Sequence, residues 1–355
     1  MLPTIGRPFL PSVRLIEEKV IIKRIINPRR RAMRMFSPAF AARALWQMRV
    51  RRRPFVLSHG ISSRCNLQCR FCRYWRKSKG EMSTPEILKM IDEASSFGIG
   101  VYNAWTVEPL LRPDLPEILK YAKGLGLVTS MVTNGKLLAK RSSELSDLDY
   151  LSVSLDGLES YRSLRGSAPD EVIKGVKAAM DEGHEVLINC VISRANLHEL
   201  KDLVCLAEDL GAWISFEPIH QEEGISKEIW EELGIVDKAS YKKAIDGLIK
   251  MKRKGAPIIN SQTYLKMVMD QSSRFRCHAS QIILHVASDG IIENCRAKSK
   301  PLGYISHGLE KAWLAASDEM KKTRESCDGC LFFGYVENSL LYDIVPEVMA
   351  HYKWM

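Results

Sequence analysis

Cys65, Cys69 and Cys72 fall in one eight-residue stretch, Cys65-Asn66-Leu67-Gln68-Cys69-Arg70-Phe71-Cys72, with three and then two residues between them. Three thiolates at this spacing can hold three irons of a four-iron cubane and leave the fourth iron open for chemistry. Cys-x-x-Cys is also zinc spacing, but a closed zinc site needs a fourth ligand. The nearest histidine, His59, precedes the loop on what reads as a strand end. A second group, Cys277, Cys295, Cys327 and Cys330, supplies four thiolates. Four close either a zinc site or an iron-sulfur cluster, and spacing leaves both open. With no export signal evident, the nine cysteines argue for metal rather than disulfides. Cys190 and Cys205 stand apart from both groups and read as small buried hydrophobes.

These side chains need a scaffold. From Pro54 onward, short apolar runs at 55–59, 100–106, 127–133, 149–155, 185–192 and 213–219 alternate with stretches of helical period. The helical stretches lie at 84–97, 113–125, 137–146, 168–182, 197–210 and 238–254. Repeated strand-helix units predict a parallel sheet with right-handed crossovers, and six are too few to close an eight-stranded barrel. Cys65 follows the first strand, at the C-terminal edge where parallel α/β folds place their sites. Alternation along the fourth strand puts Ser152, Ser154 and Asp156 on one face. Asn189 lies between apolar residues of the fifth strand and must find partners, with Asn196 shortly after it. Asp289-Gly290 reads as a hairpin turn between Cys277 and Cys295.

The cysteine loop, with Phe71 directly before its third cysteine, resembles the signature loop of the radical S-adenosylmethionine (radical SAM) enzymes. Several later stretches resemble the same superfamily. Thr106-Val107-Glu108-Pro109 stands where most members have Gly-Gly-Glu-Pro, so the acid and proline are kept and both glycines are missing. Thr133-Asn134-Gly135 resembles a common third-strand ending, and Ser154-Leu155-Asp156-Gly157 the usual fourth-strand ending. The resemblance implies an α/β fold: a partial (βα)6 TIM barrel, with a small C-terminal iron-sulfur domain and a basic N-terminal extension. The expected boundaries are 1–54 for the arm, 55–255 for the barrel and 256–355 for the auxiliary domain. It implies a [4Fe-4S] cluster with an open iron on Cys65, Cys69 and Cys72, and SAM contacts from Phe71, Glu108, Asn134, Ser154, Asp156, Arg165 and Asn189. The C-terminal segment resembles the twitch or SPASM auxiliary domain. That likeness implies a second [4Fe-4S] cluster, fully bound by Cys277, Cys295, Cys327 and Cys330, that moves electrons. The family's chemistry is generation of a 5′-deoxyadenosyl radical that abstracts hydrogen from an unactivated carbon, fed by an external ferredoxin- or flavodoxin-type donor.

The charge is uneven. Residues 1–54 carry 14 Arg or Lys against Glu17 and Glu18, whereas the rest of the chain holds 38 basic and 40 acidic side chains. The arm mixes this charge with Phe40, Leu45, Trp46, Met48 and a run of aliphatics from Leu15 to Ile26, a combination suited to an anionic membrane surface. The competing expectation is that its apolar residues pack on the barrel. Nucleic acid ranks last as a partner, because no RNA-binding module follows the arm. With no apolar run of 18 residues, the expected location is the cytoplasm, peripheral at the inner face of the membrane. The last hundred or so residues resemble the hopanoid-adenosylating and archaeal lipid-modifying branch. That likeness implies a membrane lipid substrate and a new carbon-carbon bond between hydrocarbon chains, as in tetraether bridging. Lipid adenosyl transfer is an alternative, and maturation of a peptide or protein side chain another. Glu217, His220, Tyr264, His278 and Tyr335 are read first as packing or surface residues.

Overall fold

The computed structural model describes residues 37–76, 80–221, 224–298 and 300–349. Helix α1, Pro38–Leu45, is capped by Ser37 and runs into a π-helical turn, Trp46–Val50. Then come β1 (Val56–Gly60), α2 (Thr84–Phe97), β2 (Val101–Trp105), α3 (Leu115–Gly124), β3 (Val128–Thr133) and α4 (Leu138–Arg141). The alternation continues with β4 (Tyr150–Ser154), α5 (Tyr161–Arg165), α6 (Pro169–Asp181), β5 (Val186–Ile192), α7 (Leu200–Leu210) and β6 (Trp213–Pro218). Helices α8 (Lys227–Leu233), α9 (Lys238–Arg253), α10 (Gln262–Asp270) and α11 (Ala279–Ile282) follow. The chain ends in β7 (Ile283–Val286), β8 (Ile291–Glu293), β9 (Pro301–Tyr304), α12 (Leu309–Glu325), α13 (Phe333–Tyr342) and α14 (Pro346–Met349).

The sequence chemistry explains these bounds. Ser83 and Glu86 form a reciprocal capping box at the start of α2, Pro85 sits in its first turn, and Gly98 at φ 107° ends it. Its apolar stripe, Ile87, Met90, Ile91, Ala94 and Phe97, is fully buried. The single helix expected over 137–146 divides instead into α4 and a 3-10 turn at Ser142–Glu144, where two serines favour local turns over helix. Cys205 is exposed rather than buried. It falls off the stripe of Leu200, Leu203, Val204 and Ala207 by which α7 meets the core, whereas Cys190 on β5 is buried as expected.

The sheet runs β6-β5-β4-β3-β2-β1-β7-β8-β9. Strands β1 to β6 pair in parallel, and β7 pairs in parallel on the free side of β1, so the sheet continues across residue 256 into the C-terminal segment. The β7–β8 hairpin turns at Asp289-Gly290, where Gly290 takes φ 82°. Register fixes which side chains share the inner face. Ser58 is level with His285 and Asn103, Asn103 with Ser130, Ser154 with Asn189, and Asn189 with Ser215. The interior thus carries a polar belt.

Below that belt the floor is apolar, and α1 covers it. Phe40 packs on Val101, Val128 and Tyr150, the first residues of β2, β3 and β4, and lies edge-on to Phe55 at 5.1 Å. Gln47 is buried and donates to the carbonyls of Pro54 and Phe97. This part of the arm is therefore attached to the barrel at the N-terminal ends of the strands. Leu45, Trp46 and Val50 remain exposed beside Arg49, Arg51 and Arg52. The aliphatic run from Leu15 to Ile26 lies outside the described residues.

The C-terminal helices lock on through a buried carboxyl. Glu337 of α13 accepts from the amide of Ser261, the cap of α10, and burial pushes its pKa up to about 7. A raised carboxyl pKa means that the folded state holds a proton the unfolded state has lost. Its contribution is complete below the unfolded value near 4.5 and disappears as pH rises through about 7. Glu337→Gln, which keeps the carbonyl acceptor without the charge, should leave urea stability unchanged at pH 5. At pH 8 it should raise stability by on the order of 2 kcal/mol.

Candidate active site

The loop that follows β1 is held at both ends before any ligand is considered. Glu81 accepts from Ser62 Oγ at 2.9 Å, Ser63 N at 2.8 Å and Arg64 Nε at 3.2 Å, fixing the chain as it leaves the strand. Buried Arg112 ties Ile61 and Met82 together through their carbonyls. Further along, Arg70 N donates to Leu164 O, Trp75 Nε1 to Cys69 O, and Cys72 N to Cys69 O. Cys65, Cys69 and Cys72 consequently stand close enough to repel one another as thiolates.

Burial raises the Cys65 thiol and pushes Cys69 up to about 12. Amide donation from Leu67 N to Cys65 Sγ (3.4 Å) and Arg165 beside Cys69 Sγ (3.8 Å) act in the opposite direction. Burial thus favours the protonated thiols of Cys65 and Cys69, and a cluster bound there would displace those protons.

Of the polar residues named as SAM contacts, Glu108, Asn134, Asp156 and Arg165 lie beside this loop. Asn134 Nδ2 reaches Asn66 Oδ1 at 2.7 Å and Cys65 Sγ at 3.8 Å. Asp156 is fully buried and spends its carboxylate on Arg165 Nε at 2.5 Å and Val191 N at 2.9 Å. Arg165 is buried with it, its guanidinium 5.4 Å from the centre of the Phe71 ring. Ser154 and Asn189 are level on neighbouring inner faces, and Asn189 Oδ1 accepts from Ser215 Oγ at 2.6 Å. Glu108 is fully buried, accepting from Leu110 N, Asn134 N and Thr133 Oγ1, and burial raises its pKa. Its oxygens organise the third-strand ending.

Thr106 and Val107 account for the missing glycines. They adopt φ 63° and 45°, the left-handed region that glycine enters freely and β-branched residues avoid. The backbone shape survives the substitution at the cost of strain, which persists where the surroundings enforce it. Val107→Gly should therefore stabilise the fold by about 0.5–1 kcal/mol, strain relief exceeding the added freedom of the unfolded chain. An unchanged or lower urea midpoint would contradict that account.

The second cysteine group also comes together: Cys277, Cys295 and Cys330 pack in one cluster, and Cys330 lies within electrostatic reach of the other three. Amide groups two residues on approach each sulfur: Ala279 for Cys277, Ala297 for Cys295, Gly329 for Cys327 and Phe332 for Cys330. Burial raises the thiols of Cys277, Cys295 and Cys330, the last to about 12, and the N–H donors beside these three act against that rise. Gly329 is obligatory: it sits at φ 91°, and a Cβ there would lie 2.3 Å from Ser273 O. A cavity of about 250 Å³ opens between Cys277 and Cys327, lined also by His278 and Arg324. Among the described residues no three His, Cys, Asp or Glu side chains converge as closely as one metal ion requires. A cubane, whose ligands sit on separate irons, has no such requirement.

A hydrogen bond links the neighbours of the two cysteine groups. Arg73, next to Cys72, donates from Nη2 to the carbonyl of Arg296, next to Cys295, at 2.8 Å. Around Arg296 are Phe332 (4.5 Å), the Trp105 ring (6.0 Å) and Glu217 (3.6 Å). Sequence reasoning did not select Trp105, His285 or Arg296. The single clue was their inward parity on strands or their place beside a cysteine. Tyr264 and His278 are packing residues, bonded to Leu331 O and to Gln281 and Asp343.

Comparison with known proteins agrees with this geometry. Residues 60–207 match the model of the Radical SAM superfamily. A probable GTP 3′,8-cyclase of Methanopyrus kandleri is 35% identical over 185 residues, covering 46% of this chain and 60% of that protein. The Fe-coproporphyrin III synthase of Methanosarcina barkeri is 33% identical over 165 residues, covering 43% and 41%. The chain thus spans about half the length of these curated relatives. In fold it is similar to Streptococcus suis SuiB bound to S-adenosylmethionine, with a TM-score of 0.63 at 18% identity over 77% of this chain and 68% of that one. The segment that carries Cys65, Cys69 and Cys72 is thus a radical SAM domain.

Proposed function

We propose that the protein is a radical SAM enzyme working with two [4Fe-4S] clusters on a polar substrate held between them. The contact from Arg73 to Arg296 carries the two-centre reading, because it brings the neighbours of Cys72 and Cys295 to one wall of one space. When bound, the first cluster and SAM supply a 5′-deoxyadenosyl radical that takes hydrogen from an unactivated carbon. Cys65, Cys69 and Cys72 would hold that cluster, and Asn134 and Arg165 set the polarity beside it. Cys277, Cys295, Cys327 and Cys330 would hold the second, an electron acceptor for the product radical. An external ferredoxin- or flavodoxin-type donor would reduce the first.

The polar belt of Ser58, Asn103, Ser130, Ser154, Asn189, Ser215 and His285 favours a hydrophilic substrate, and a peptide or protein side chain fits it better than a hydrocarbon chain. One observation favours the other class. Exposed Leu45, Trp46 and Val50 among arginines suit an anionic bilayer, which would bring a membrane lipid, and carbon-carbon bonding of its chains, within reach. That patch, however, lies on the barrel floor, at the opposite strand ends from the cysteine loop. Among the described residues no helix is long and apolar enough to cross a membrane.

The test is anaerobic reconstitution with iron and sulfide, then incubation with SAM, dithionite and either a peptide fraction or a lipid extract, followed by mass spectrometry. A 5′-deoxyadenosine burst with a matching mass change in the peptide fraction supports the proposal. A burst confined to the lipid extract moves the assignment to lipid. Reconstituted protein that never cleaves SAM ends the radical SAM reading.

A further inference from the structure

His285 lies on the inner face of β7, level with Ser58 of β1, and is 6% exposed. Its Nε2 is 2.9 Å from Tyr335 Oη, which also accepts the backbone N–H of Arg296 at 2.7 Å. The Tyr335 hydroxyl therefore gives its own hydrogen to His285 Nε2, the one acceptor it meets among the described residues. Nε2 being an acceptor, the imidazole carries its proton on Nδ1. Burial and the charge of Arg296 hold the His285 pKa down near 4, so the ring is neutral at physiological pH.

That Nδ1–H is buried and meets no acceptor among the described residues. The same holds for Trp105 Nε1–H, on the inner face of β2, with the two rings edge to face at 5.9 Å. Buried donors are satisfied in folded proteins at least nine times in ten, so two orphaned donors on neighbouring rings call for an external acceptor. Arg296, whose guanidinium stands 6.0 Å from the Trp105 ring and is paired with Glu217 at 3.6 Å, adds guanidinium donors to this wall. Histidine fixed as a neutral donor, indole N–H and guanidinium together match an anionic oxygen.

We propose that His285 Nδ1 and Trp105 Nε1, with Arg296 nearby, form a subsite that positions a carboxylate of the substrate in the barrel interior. The inference rests on the polar-substrate reading and narrows it. Tyr335 is a positioning residue: its hydroxyl sets the tautomer that turns the imidazole donor inward. Through Arg296 N, the same hydroxyl is tied to the residue after Cys295.

The reconstituted full chain is titrated with sodium acetate, with acetamide, and with sodium chloride at matched ionic strength, and its Tm is recorded. Crystals soaked in acetate provide the position. Acetate is expected to raise Tm by about 2 °C at a few times its dissociation constant, with acetamide and chloride flat. The acetate oxygens should lie within hydrogen-bond reach of His285 Nδ1 and Trp105 Nε1. His285→Phe should abolish the shift, and His285→Asn, which keeps a donor, should retain part of it. Equal responses to acetate and acetamide, no response to either, or an undiminished shift in His285→Phe would overturn the subsite. SAM cleavage measured on the same preparations separates the two readings: if it persists while the acetate response is absent, the subsite fails and the radical SAM assignment stands.

Discussion

Cys69→Ala should reduce reconstituted iron from about eight per chain to about four and bring 5′-deoxyadenosine formation below detection, whereas Cys330→Ala should lose a similar amount of iron and still cleave SAM. The difference comes from which thiolates border the open iron. Cys69 is buried, central in the loop, and next to Arg165, so its loss leaves two ligands on a site that needs three. Cys330 belongs to a separate set of cysteines, and under the proposed two-cluster reading its loss would interrupt electron flow from the product without touching the SAM end. SAM consumption in Cys330→Ala should thus persist while substrate conversion falls by at least tenfold. Iron analysis and chromatography on one preparation decide it. Substantial 5′-deoxyadenosine from Cys69→Ala would remove the loop from the chemistry.

Asp156→Ala should be the most damaging substitution outside the cysteines, costing about 3–5 kcal/mol. The carboxylate is fully buried, and its loss strands the buried Arg165 guanidinium and the Val191 amide together. Breaking a buried pair from one side costs more than the pair contributes, because the remaining charge stays desolvated. A fall in Tm of about 5 °C is expected. Replacing both partners, Asp156→Leu with Arg165→Met, should recover a large part of it. Recovery would show that the damage is uncompensated charge. If the double variant is as unstable as Asp156→Ala, the cost lies instead in packing around Phe71 and Cys69.

The sequence made some of this legible and hid the rest for physical reasons. The cysteine loop could be read because its ligands are close along the chain, and the strand-helix alternation because apolar periodicity is local. Asp156 and Arg165 were recognisable as candidate polar residues of the site. That they neutralise each other required seeing Arg165 turn inward on α5, which nothing in nine residues of spacing announces. His285 and Trp105 went unselected for a related reason: their meeting depends on β7 pairing beside β1, a contact between distant segments that leaves no trace in periodicity. For the arm, composition left a surface-seeking segment and packing on the barrel both open, and it could not tell that Phe40 and Gln47 would be drawn under the barrel while Trp46 stayed out.

The parallel pairing of β7 with β1 has a consequence for how the protein is made. Val56 leaves the ribosome early and its partner Ile283 late, so throughout synthesis the strand that leads into the cysteine loop has one open edge. A cluster delivered to a nascent chain would meet a loop whose wall, including the carbonyl that receives Arg73, does not yet exist. Maturation is thereby tied to chain completion. Any fragment ending before residue 283 should collect as an aggregate with little iron, however intact its first three cysteines.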